Sequence, residues 1–111
     1  MEIGTQVQPG GVAVLRPQGR LTMVTAGELK AEVERTVAEG HPVVVLDLAD
    51  VPFVDSSGLG ALVGALRTAR TAGGDLRIAR VGAQVATVLS LTTMDRVLRP
   101  YASVEDAVGA S

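Results

Sequence analysis

Four consecutive residues combine an acid, two hydroxyls and a glycine: Asp55-Ser56-Ser57-Gly58. They lie between an apolar segment at 43–48, which is typical of a buried strand, and a periodic apolar segment at 59–66, which is typical of a helix. The simplest interpretation is that they begin this helix. Asp55 or Ser56 would then accept a hydrogen bond from an amide of its first turn, and Ser57 is a further candidate for this cap.

A nucleophilic serine is one alternative. The pattern around such a serine is Gly-x-Ser-x-Gly, but Val54 occupies the first glycine position here. The one histidine, His41, precedes the central strand, and we expect it in an exposed loop at the sheet end opposite Ser56. Because a serine without a base within reach is a poor nucleophile, these residues argue against hydrolysis.

A phosphate-binding loop is a second alternative, because Gly58, Gly60 and Gly64 follow a predicted strand. Their spacing departs from Gly-x-Gly-x-x-Gly, and the chain contains no Gly-x-x-x-x-Gly-Lys-Ser/Thr. The signal for a bound nucleotide is therefore weak. The glycines would equally allow the helix to pack closely against the sheet.

A phosphorylation site is a third alternative. We expect Ser56 at the carboxyl end of a parallel strand, exposed and on a rigid support. A phosphate would add about −1.5 to −2 charges there, and the first turn of a helix tolerates an anion well. Such a modification would change which partners dock on this surface without unfolding the domain.

The predicted order of elements is β-β-α-β-α-β-α-β-α, in one α/β domain over residues 1–111. Alternating strands and helices favour a mostly parallel sheet, and Pro9-Gly10-Gly11 predicts an antiparallel N-terminal hairpin. Thr25 and Glu28 predict a capping box at the first of about four helices. The strands are predicted at 3–8, 12–16, 42–48, 76–81 and 97–101, and the helices at 25–39, 59–72, 84–91 and from 103 onward.

Composition excludes several classes of function. The 111 residues are 47% hydrophobic but only 2% aromatic, and the net charge is −2, which argues against binding of nucleic acid. The absence of cysteine excludes disulfides and thiolate metal sites. We see no secretory signal, no segment able to insert in a membrane, no metal-ligand cluster and no cofactor loop, so we expect a cytoplasmic protein without cofactor.

The chain closely resembles the anti-sigma factor antagonists of the STAS domain family. The resemblance is carried by Val44-Val45-Leu46-Asp47-Leu48 and, most specifically, by the hexapeptide Asp-Ser-Ser-Gly-Leu-Gly at 55–60 within residues 51–60. It covers nearly the whole chain, including Gly19-Arg20-Leu21 and the segments 72–76 and 101–107.

This resemblance implies a small sheet with helices chiefly on one face, and a regulatory protein that is no enzyme. Ser56 matches the serine that is phosphorylated by the partner, an anti-sigma factor that is itself a serine kinase. The unphosphorylated antagonist would bind this partner and free the sigma factor, and the phosphorylated form would release it. A serine phosphatase would reset the cycle. The ATP belongs to the kinase, so the resemblance implies no cofactor here.

The docking surface implied by the resemblance lies around Ser56 and the segment before the first helix. Many relatives carry an acid where this chain has Thr22, and if that acid helps kinase recognition, phosphorylation would be weakened. The alternative is a structural STAS subunit of a transporter or sensory complex, which docks without a switch. We expect a monomer or weak dimer. The predicted partner-binding residues are Asp55, Ser57, Gly58, Leu59, Arg20, Thr22 and Met23.

Overall fold

A computed structural model describes residues 1–110 and contains five strands and four helices within them. A short 3-10 turn, Met94–Arg96, precedes the last strand. The strands are β1 (Glu2–Val7), β2 (Ala13–Gln18), β3 (Val43–Asp47), β4 (Asp75–Ala79) and β5 (Pro100–Tyr101), and the helices are α1 (Ala26–Ala38), α2 (Ser56–Thr71), α3 (Ala83–Leu91) and α4 (Val104–Gly109).

The strands form one sheet in the order β1-β2-β3-β4-β5. β1 and β2 pair antiparallel as a hairpin, and every other neighbouring pair is parallel. The predicted mixed, mostly parallel sheet with an N-terminal hairpin is therefore confirmed. Its parallel strands end at one common edge, and the Asp55-Ser56 segment follows the carboxyl end of β3.

Helices cover both faces of β3, which explains its uninterrupted apolar sequence. Val44 and Leu46 belong to the larger core cluster with residues of α1, α2 and α3. Val45, between them, points to the other face and packs with Val104 and Ala107 of α4. Three helices on one face and a short one on the other agree with the expected arrangement, chiefly on one face.

The last strand is shorter than the predicted 97–101. The Val97 and Leu98 amides donate to the carbonyl of Met94, at 3.0 and 2.7 Å, and so continue the 3-10 turn instead of joining the sheet. Only Pro100 and Tyr101 pair with β4. Apolar residues alone predicted the strand, but local backbone hydrogen bonds decide where it begins.

The predicted capping box at α1 is wrong, although the helix does follow Thr25. The Thr25 hydroxyl donates to the Arg20 carbonyl (2.7 Å) and accepts from the Thr22 amide (3.0 Å), so it makes no cap bond. The Glu28 carboxylate pairs instead with the amino terminus of Met1, at 2.6 Å. Thr25 binds residues three and five positions earlier and Glu28 binds a residue 27 positions earlier, and the capping pattern includes none of them.

Asp47, the last residue of β3, is a buried carboxylate with two arginine partners. It is 2% exposed and accepts from Arg80 Nε (3.0 Å) and Nη2 (2.5 Å), from Arg16 Nε (3.3 Å) and from the Ala49 amide (3.2 Å). Burial acts to raise its pKa, but the hydrogen bonds from Arg80 and Ala49, with the two positive charges, together hold the pKa below the ordinary value.

Asp47→Asn is expected to lower the free energy of unfolding by about 2 kcal/mol at pH 7, because it removes charged hydrogen bonds from half-exposed arginines. A carboxyl whose folded pKa is depressed stabilises the fold above its unfolded pKa, about 3.9, and loses that contribution as the pH falls through the folded pKa. The difference in free energy of unfolding between wild type and Asp47→Asn, here called the gap, should therefore be constant above about pH 5 and become smaller in acid.

Urea unfolding from pH 3 to pH 7 measures this gap. Asp50→Asn is the matched control, because Asp50 is an exposed neighbouring acid. A gap that stayed constant down to pH 3 would contradict the assigned role of the Asp47 charge.

Candidate functional site

Helix α2 begins at Ser56, and the side chain of Asp55 caps it. Asp55 has extended backbone, and its Oδ1 accepts from the Gly58 amide at 2.8 Å. This confirms Asp55 among the predicted caps, whereas the prediction that Ser57 is the cap is wrong. Both serines instead lie in the exposed first turn of α2.

The same carboxylate holds the loop between β2 and α1 against the start of α2. Asp55 Oδ2 accepts from the Met23 amide (3.1 Å), and the Asp55 amide donates to the Leu21 carbonyl (3.2 Å). Leu21 also pairs with Val54 as an isolated parallel bridge. The two segments that the resemblance placed on one surface, 20–23 and 55–59, are therefore adjacent in the fold.

Gly58 permits this close approach. A Cβ at position 58 would lie 2.2 Å from the Leu21 carbonyl oxygen and 2.7 Å from Val54 Cγ2, distances at which no side chain fits. Gly60 has open space at the same point, and Gly64 faces the flexible side chain of Lys30 at 3.5 Å. Of the three glycines, only Gly58 brings backbone into close contact, and it is itself buried.

The exposed part of the site combines polar, apolar and basic groups. Met23 and Val24 are 77% and 82% exposed, and Arg20 lies with its guanidinium 4.3 Å from the centroid of the Phe53 ring. Thr22, Leu59 and Asp55 are half-buried. We call the exposed set the Ser56 surface; it consists of Arg20, Met23, Val24, Ser56 and Ser57.

The start of α2 favours negative charge near Ser56. The Gly58 amide is satisfied by Asp55, but the Ser56 and Ser57 amides have no hydrogen-bond partner among residues 1–110. Free amides and the helix dipole give this end of α2 partial positive charge. A phosphate on Ser56 would therefore be tolerated by the fold, despite the neighbouring Asp55 carboxylate.

Sequence reasoning missed two residues of the site. Val24 is as exposed as Met23. The sequence signal that could have identified Val24 was two adjacent apolar residues in a predicted loop. Gln84 of α3 holds the backbone of Val54: its Oε1 accepts from the Val54 amide (2.9 Å) and its Nε2 donates to the Val54 carbonyl (3.0 Å). No local signal indicates this partner, which lies 30 residues away.

His41 lies at the amino end of β3, so its predicted position opposite Ser56 is confirmed. The prediction that it is exposed is wrong, because it is half-buried with Nδ1 3.1 Å from the Gly11 carbonyl oxygen. Within residues 1–110 there is no group of three or more potential metal-ligating side chains. No helix in this part of the chain is both long and apolar enough to cross a membrane.

Asp55→Ala is expected to lower the free energy of unfolding by about 1–2 kcal/mol, since it removes the helix cap and the anchor of Met23. Asp55→Asn keeps one oxygen acceptor for the Gly58 amide and should recover most of the cap contribution. Urea unfolding of the three proteins measures both steps. Equal urea midpoints for wild type and Asp55→Ala would show that these two hydrogen bonds of Asp55 do not stabilise the fold.

Comparison with known proteins agrees with this geometry. The profile of the STAS domain family matches residues 5–107. The chain belongs to the STAS domain family. The resemblance predicted from residues 44–60 is thereby confirmed at the level of the family.

Several proteins similar to this STAS chain are named anti-sigma factor antagonists. A Thermotoga maritima protein assigned as one is 31% identical over 98 residues, covering 87% of each chain. The anti-sigma-F factor antagonist RsfB of Mycobacterium tuberculosis is 28% identical over 106 residues, covering 94% of this chain and 84% of RsfB. The crystal structure of an anti-sigma factor antagonist from Mycobacterium paratuberculosis superposes with a TM-score of 0.80 at 30% identity, covering 96% and 92%.

Proposed function

We propose that this STAS protein is an anti-sigma factor antagonist, and that its Ser56 surface binds an anti-sigma factor with serine kinase activity. The observation that carries the proposal is the exposed Ser56 at the first position of α2, beside the exposed apolar pair Met23 and Val24. The names of its relatives support the class of partner. In this role the protein acts in the cytoplasm, as a monomer or weak dimer.

Phosphorylation of Ser56 would end the complex through the energetics of desolvation. A neutral hydroxyl is buried at small cost when it finds a hydrogen bond, whereas a phosphate carries about −1.5 to −2 charges into the interface. Met23 and Val24 supply apolar contact that does not depend on this charge. A serine phosphatase would restore the neutral hydroxyl, so the same surface serves both states.

Thr22 is compatible with this function although it replaces an acid of the family pattern. Its hydroxyl accepts from the Val24 amide at 3.3 Å and so supports the exposed turn. A carboxylate at this position would also be an acceptor. The threonine thus retains the shape of the loop and removes one negative charge from the neighbourhood of Ser56.

Capture of the partner tests the proposal directly. Wild-type protein used as bait in native lysate from the source cells should retain an anti-sigma factor, identified by mass spectrometry. When ATP is added to the captured complex, the bait should gain one phosphate, mapped to Ser56. Ser56→Ala should still capture the partner and gain no phosphate, whereas the matched variant Ser57→Ala should still gain one phosphate. Retention of a transporter subunit instead, without phosphate transfer, would contradict the proposal.

A further inference from the structure

Four arginines line one cavity of about 190 Å³ at the β5 side of the sheet. Arg70 comes from the last turn of α2, Arg77 from β4, and Arg96 and Arg99 from the segment before β5. The chain has only ten lysines and arginines and a net charge of −2. Four of these ten groups around a single small cavity are therefore a pronounced local excess of positive charge.

Ion pairing offsets only part of this charge. Asp75 is the one acid in the cavity lining; it accepts from Arg70 Nε at 3.3 Å and lies 3.5 Å from Arg77 Nε. Neither Arg96 nor Arg99 forms a salt bridge with any residue that the structure describes. Four guanidinium groups against one carboxylate leave three positive charges in excess.

We propose that this arginine cavity binds a small phosphate-bearing anion. The guanidinium group presents planar, paired donors that match phosphate oxygens, and convergence of several such groups favours a ligand with two or more charges. The cavity volume is below the range of pockets for drug-sized ligands, about 300–1,000 Å³, so the ligand is of the size of pyrophosphate or a phosphorylated three-carbon compound. Tyr101, which also lines the cavity, adds a phenolic hydroxyl that can donate a hydrogen bond.

The arginine cavity is separate from the Ser56 surface. Ser56 and Arg70 lie near opposite ends of α2, and 14 residues of helix span about 21 Å. Asp75 begins β4, whereas Ser56 follows the carboxyl end of the parallel strand β3. Binding of an anion in the cavity would therefore leave the Ser56 surface free, and the two proposals can fail independently.

Calorimetric titration with phosphate, pyrophosphate and glycerol 3-phosphate tests the site. Wild type should bind at least one of them, with affinity that falls as sodium chloride is raised. The double variant Arg96→Ala/Arg99→Ala should bind it at least about tenfold more weakly. Arg67→Ala, an exposed arginine of α2 outside the cavity, should match wild type.

The relative affinities of the three probes indicate the source of the phosphate ligand. Tighter binding of pyrophosphate would indicate an inorganic ligand, and tighter binding of glycerol 3-phosphate a phosphorylated metabolite. Because Arg96 and Arg99 are exposed, the double variant should melt at the wild-type temperature without anion, which separates lost binding from lost folding. No binding of any probe at millimolar concentration, or equal binding by the double variant, would overturn the site.

Discussion

Ser56→Glu is expected to weaken binding of the anti-sigma factor about a hundredfold. Glutamate places a negative charge at the first position of α2, where the proposed complex must desolvate the side chain. An unpaired charge buried in an interface costs several kcal/mol, and about 3 kcal/mol corresponds to a hundredfold change in affinity. Isothermal titration against the captured partner measures the effect.

Two controls make this result specific. Ser90→Glu introduces the same charge at an exposed serine of another helix, α3, and should leave the affinity unchanged. Thermal unfolding of Ser56→Glu should show an intact fold, because an acid in the first turn of a helix is stabilising by about 0.3–1 kcal/mol. If Ser56→Glu bound the partner as tightly as wild type, charge at this position would not control the complex.

Gly58→Ala is expected to lower the free energy of unfolding by about 3 kcal/mol or to prevent folding. The added Cβ would lie 2.2 Å from the carbonyl oxygen of Leu21, which is backbone held in place by its pairing with Val54. Because neither segment can shift without breaking that pairing, the strain cannot relax locally. Urea unfolding of the variant measures the loss.

Gly60→Ala is the matched control, two residues further along the same helix. Its added Cβ meets nothing within 4 Å. Alanine is a better helix former than glycine, so this variant should be more stable than wild type by about 0.5–1 kcal/mol. Stability changes of opposite sign at positions 58 and 60 would establish the close approach of Gly58 to the Leu21 backbone. A loss of stability of similar size at both positions would contradict it.

Much of the fold is predictable from local sequence because its signals are local. The uninterrupted apolar segment of β3 predicted a strand covered on both faces, and the order of strands and helices predicted the mixed sheet. The beginning of the fifth strand and the capping of α1 were not predicted correctly. In both places a hydroxyl, carboxylate or amide can take more than one partner, and the patterns of apolar and capping residues do not show which one it takes.

For the site, the sequence by itself indicated the candidate serine, Ser56, the three candidate caps Asp55, Ser56 and Ser57, and the glycine that follows. Only the tertiary structure decided which side chains surround them. The link from Asp55 to the Met23 amide and the support of Val54 by Gln84 each join residues about 30 positions apart. The exposure of Met23 and Val24 is likewise a property of the folded chain. Such contacts depend on how the parallel strands bring their ends to one edge, which is a property of the assembled sheet and not of any single segment.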